Sequence, residues 1–130
     1  MEDPKITPNS SELEILQALW PLGEARVQSI NDELCKTKTI GYTTTLKTMQ
    51  IMEQKGLLGR RKEGKSHIYF PLIAQSVTQN SLLERLLSSA FGGSKSSLVM
   101  QLLGGSAVSK QELEEIQTFL KEIEPEDKQP

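Results

Sequence analysis

Apolar residues recur at helical spacing in three stretches of the first 55 positions. Leu13, Leu16, Leu19 and Trp20 follow Asn9-Ser10-Ser11-Glu12, an asparagine with a glutamate three residues on, which is the pattern of a capping box. Pro21 and Gly23 close this helix. A second helix fits about 24–36, with Val27, Ile30 and Leu34 on one face, and Lys36 to Gly41 reads as a polar turn. A third fits about 43–55, with Leu46, Met49 and Met52 inward and Gly56 as its C-terminal stop. Short helices joined by turns of a few residues predict a helix-turn-helix. The period then changes. Ile68, Tyr69 and Phe70 are β-formers, and the segments on either side of Glu63-Gly64 predict a two-stranded hairpin with its tight turn there, closed by Pro71.

From about residue 75 the pattern is helical again. Leu82, Leu83, Leu86, Leu87 and Phe91 form one stripe, broken by Gly92-Gly93; Leu98, Val99, Leu102 and Leu103 form a second, broken by Gly104-Gly105. Ser109-Lys110-Gln111-Glu112 predicts a second capping box, opening a helix with Leu113, Ile116 and Leu120 on one face, and the polar tail from about 124 is expected to fray. The expected class is mainly α with a small β-hairpin, a winged helix-turn-helix followed by a helical region. Residues 1–73 form the first part and 74–130 the second. The later stripes are too apolar for water and too few for a core of their own. A second copy would cover them, with Leu82, Leu83, Leu86, Leu87, Phe91, Leu98, Val99, Leu102, Leu113, Ile116 and Leu120 as the dimerisation residues. Folding back onto the first part is the alternative.

Composition removes several classes. At 130 residues, 36% apolar and 25% charged, the chain reads as one ordinary globular unit or one with an appendage. No apolar run nears the roughly 18–20 residues that span a bilayer, and the start of the chain shows no signal-peptide pattern. A single cysteine, Cys35, excludes a disulfide framework and a zinc site needing two thiolates; it is expected to pack as a small apolar side chain. His67, the one histidine, is expected to be a structural or surface residue. No carboxylate pair, glycine-rich phosphate loop or metal spacing stands out, so no enzyme, cofactor or metal is expected.

The net charge of −2 conceals a sharp division. Residues 1–35 carry 2 basic and 7 acidic groups, residues 36–70 carry 8 and 2, and residues 71–130 carry 5 and 8. Screening confines each field to roughly 8–10 Å, so the central block, net +6, can attract an anion on an acidic molecule. The outward face of the third helix carries Tyr42, Thr43, Thr44, Lys47, Gln50 and Ile51 at or near its N-terminal half. Hydroxyls, an ammonium and methyl groups there suit base edges in a major groove, which makes Tyr42, Thr43, Thr44, Lys47 and Ile51 the candidate base readers. Arg60, Arg61, Lys62 and Lys65 flank the hairpin tip, and with Lys38 and Thr48 they are the candidate phosphate contacts.

These residues resemble a known family. Tyr42-Thr43-Thr44-Thr45-Leu46-Lys47 through Gly56-Leu57 is similar to the recognition helix of the penicillinase repressor (BlaI/MecI) family. So, in order, are Ser11 to Leu16 with Leu19-Trp20, Lys62 to Lys65 with Tyr69 to Leu72, Phe91 to Ser94 with Leu98-Val99, and Ser109 to Ile116. The resemblance covers about residues 9–123. It implies a bacterial, cytoplasmic repressor that binds palindromic double-stranded DNA operators as a homodimer. It also implies release by a membrane-bound sensor metalloprotease that cuts the dimerisation helices. Gln101-Leu102 aligns where the family typically has its Asn-Phe cleavage bond, Ile51 stands where arginine is frequent, and Lys47 where threonine is common. The operator is therefore expected to differ from the family's usual one. The cysteine cluster of copper-responsive relatives is absent. The competing expectation is a winged-helix module that docks its basic hairpin on an acidic protein.

Overall fold

The computed structural model describes residues 7–125. The first six residues, and the part of the polar tail beyond 125, lie outside the described residues. Six helices and one antiparallel hairpin follow in the order α1 (Ser10–Leu19), α2 (Val27–Leu34), α3 (Tyr42–Lys55), β1 (Leu58–Glu63), β2 (Ser66–Pro71), α4 (Gln75–Ala90), α5 (Lys95–Gly104) and α6 (Lys110–Ile123).

The capping box is present in full. Asn9 Oδ1 accepts from the Glu12 N–H at 2.9 Å, and the Asn9 N–H donates to Glu12 Oε1 at 3.0 Å. The other carboxylate oxygen of Glu12 takes Lys55 Nζ at 2.6 Å, so one buried carboxylate joins the start of α1 to the end of α3. Gly56 follows α3 in the left-handed region at φ 88°, which glycine adopts without a Cβ clash. The core of this region interdigitates Ile15, Leu16 and Leu19 of α1, Ile30 of α2, Met49 and Met52 of α3, and Leu57, Leu58 and Tyr69 of the hairpin region. Trp20 Nε1–H donates to the Ile73 carbonyl at 3.0 Å, tying α1 to the chain leaving the hairpin.

Several boundaries differ from the sequence expectation. The second helix is shorter than 24–36, because Ala25 is drawn into a β-bridge with Tyr69, with N–H···O distances of 2.8 and 2.9 Å in the two directions. In the hairpin, Glu63 pairs with Ser66, so the tight turn is Gly64-Lys65 rather than Glu63-Gly64. Gly64, at φ 63°, supplies the positive φ that a two-residue loop needs. In the first turns of α3 Thr45 is fully buried, while Leu46, expected to face inward, is half-buried. Asn31 explains this. Its Nδ2 donates to Thr45 Oγ1 at 2.8 Å and to the Ile40 carbonyl at 3.1 Å, so a polar side chain is satisfied within the core. Cys35 is exposed rather than packed. It caps α2, and its thiol lies 3.2 Å from the Ile40 carbonyl.

The chain divides into two compact units, the first ending at Glu84 and the second beginning at Arg85. In the second, Gly92 and Gly93 follow α4 with positive φ, and Ser94 caps α5 by accepting from the Ser97 N–H. Ser109 caps α6 through the Glu112 N–H at 3.0 Å, the forward bond of the expected box.

Candidate nucleic-acid interface

A helix turns 100° per residue, so Thr43, Thr44, Lys47 and Ile51 fall within an arc of about 100° on α3. All four are exposed. The opposite arc carries Thr45, Met49 and Met52 into the core. Burial of one face thus fixes what the other presents, and the Asn31 bonds hold the first turn of α3 in register with the turn before it. Thr48 is half-buried, and its hydroxyl donates to the Thr44 carbonyl at 3.0 Å, which commits its proton to the helix backbone.

The structure sorts the basic candidates by their partners. Lys38 pairs with Glu14 at 2.9 Å and Arg60 with Glu53 at 3.5 Å. Arg61 bonds Glu24 at 2.8 Å and Glu63 at 3.4 Å. Glu24 first, then Glu63, holds the Arg61 proton more firmly than usual, so the group stays charged with two carboxylates beside it. Lys47, Lys62 and Lys65 make no ion pair among the described residues. Their charges are the ones left unneutralised at the hairpin and the exposed face of α3.

Between α2, α3 and the hairpin lies a cleft of about 530 Å³. Tyr42, Leu46 and Gln50, one helical row of α3, form one wall; Arg60, Lys65 and His67 come from the hairpin, and Arg26 and Gln28 from the start of α2. Tyr42 is therefore placed at this edge of α3, beside the four-residue arc. Arg26 and Gln28 carried no signal in the sequence, because the Ala25–Tyr69 bridge that brings them to the hairpin joins residues far apart in the chain. Asn31 did carry one. It falls in the Val27, Ile30, Leu34 stripe, where burial at helical spacing foretells an internal hydrogen bond.

Of the dimerisation candidates, Leu87 is buried, and Leu82, Phe91, Leu98 and Ile116 are half-buried. Leu83, Leu86, Val99, Leu102, Leu113 and Leu120 are exposed, and Met100 and Phe119 join them at 72% and 56%. Gln101 and Leu102 are exposed within the last turns of α5. No helix among the described residues is long and apolar enough to cross a membrane.

Three comparisons bear on this arrangement. The chain is 28% identical to the penicillinase repressor of Bacillus licheniformis over 118 residues, covering 88% of this chain and 89% of the relative. It is 23% identical to the methicillin resistance regulatory protein MecI of Staphylococcus aureus (strain N315), covering 86% and 91%. Among solved structures, the DNA binding domain of the repressor BlaI superposes with a TM-score of 0.50 at 28% identity, over 58% of this chain and 92% of that domain. The model of the penicillinase repressor family matches residues 9–122, almost the whole length, and the chain belongs to that family.

Proposed function

We propose that this protein is a sequence-specific DNA-binding transcriptional repressor that acts as a homodimer on a palindromic operator in the bacterial cytoplasm. Residues 1–73 serve as the DNA-binding part and 74–130 as the dimerisation part. The observation that carries the reading is the exposed arc of Thr43, Thr44, Lys47 and Ile51, opposite a closed core and next to a hairpin with free lysines. The arc reads base edges; Lys62 and Lys65 hold phosphates, with Arg60, Arg61 and Lys38 available once their exposed carboxylate partners yield. The reading describes binding and repression, with no catalytic step. Family membership and two relatives named as repressor and regulatory protein support it. The acidic-protein module is not favoured, since the arc lacks the large aromatic and leucine residues on which a protein-docking helix relies.

Relief of repression follows from the same arrangement. Separation of the copies would return exposed apolar side chains of α4, α5 and α6 to water and weaken binding to both half-sites at once. Cleavage within α5 by a membrane-bound sensor metalloprotease is one way to bring this about. Fluorescence anisotropy on duplex DNA tests the assignment. Lys62→Ala should weaken binding to all sequences and lower the salt slope by about one unit, whereas Thr44→Val should change which bases are preferred. Equal weakening of every duplex by both would refute the division of roles.

A further inference from the structure

We infer that the cleft between α3 and the hairpin is a seat for a phosphodiester strand of the bound duplex, held by Arg26, Tyr42, Lys65 and His67. This rests on the DNA-binding reading above. A helix in a major groove is bordered on each side by a phosphate strand, and the cleft is one border of α3. Its lining suits that strand. Arg26, Arg60 and Lys65 bring three basic side chains, Tyr42 and His67 add a hydroxyl and a ring N–H, and among the described residues no carboxylate lines it.

Two ion pairs stand at its rim, Arg26 with Glu63 at 3.2 Å and Arg60 with Glu53 at 3.5 Å. Both are solvent-exposed, so they are weak and a phosphate can compete for the guanidinium groups. Arg26 is well placed for this role. It is the N-cap of α2 and makes no side-chain capping bond, so its side chain has no helix-ending duty to lose. The first peptide N–H groups of α2 start beside it. His67 pairs across the hairpin with Lys62, which puts one of the unneutralised lysines alongside the same strand path.

The test needs no operator, because phosphate contacts are independent of sequence. Full-length protein is titrated into a duplex of about 20 base pairs of arbitrary sequence, and affinity is followed against salt. Arg26→Gln should lower the slope by about one unit and raise Kd about tenfold at moderate salt, as expected for one charged hydrogen-bonded contact. Tyr42→Phe should raise Kd a few-fold with the slope unchanged, since it removes a hydroxyl and no charge. Arg85→Gln, a cation on α4 outside the cleft, should leave both unchanged. If the native protein binds but Arg26→Gln and Tyr42→Phe behave like Arg85→Gln, the cleft assignment is wrong while the DNA reading stands. If the native protein shows no salt-dependent binding, both fail together. Displacement of the duplex by sub-millimolar pyrophosphate at fixed ionic strength would instead assign the cleft to a free phosphorylated ligand and overturn the strand.

Discussion

The unit ending at Glu84 and the unit beginning at Arg85 use the same vocabulary of leucine-bearing helices and reach opposite results. In the first, Leu16, Leu19, Ile30, Met49, Met52 and Leu57 have no exposed surface at all, and even the polar Thr45 is enclosed with its hydrogen bond made. In the second, Leu87 is the one buried apolar residue described, while Met100 and Leu102 stand 72% and 66% exposed. The difference is one of closure. Three helices and a hairpin enclose a core from several sides; the short helices from Arg85 onward leave their apolar sides uncovered. The first unit closes over its own core, and the exposed apolar sides of the second are the ones a second copy would cover in the proposed homodimer.

That contrast can be broken by substitution. The largest effect should come from Leu16→Ala, which removes a fully buried side chain and should cost about 3 kcal/mol in chemical denaturation. Phe119→Ala, at a position 56% exposed, should cost a dilute sample less than about 1 kcal/mol. Similar losses at both would erase the distinction between a closed and an open unit. Next comes Glu12→Gln. It weakens the bond to Lys55 and replaces a buried carboxylate that also accepts from Asn9, and it should cost about 2 kcal/mol, measured the same way. An unchanged stability would mean that the link between the start of α1 and the end of α3 is decorative.

Leu102→Glu should act on the other unit alone. Dimer dissociation should strengthen at least tenfold in sedimentation equilibrium, equivalent to about 1.4 kcal/mol, with the denaturation of the first unit unaltered. A native protein that sediments as a monomer at tens of micromolar would remove the reason for the exposed stripes. The smallest expected effect is that of Lys65→Ala, a few-fold in DNA affinity with a salt slope lower by about one unit.

What could be read in advance follows the range of the interactions. The Asn9–Glu12 box and the Gly56 stop depend on neighbours three or four residues away, and both were legible. The stripes on α4, α5 and α6 were legible as stripes. The burial of Thr45 depends on Asn31, fourteen positions earlier, and the late start of α2 depends on Tyr69. Asn31 shows in the stripe of α2, but its partner on α3 and the bridge at Ala25 leave no periodic trace. The basic block was equally plain as a block, yet its sequence did not separate Arg61, held by Glu24 across 37 residues, from Lys62 and Lys65, which remain available. Which charges are spent is a property of the folded surface.

The central claim is that a polar arc on α3, duplicated by dimerisation, selects a DNA sequence. Selection of bound duplexes from a random pool at about 150 mM salt, followed by sequencing, tests it most directly. The account predicts an enriched inverted repeat whose half-sites lie about one helical turn apart. Retention of duplexes without any enriched sequence would show an electrostatic surface with no reading function, and would contradict it.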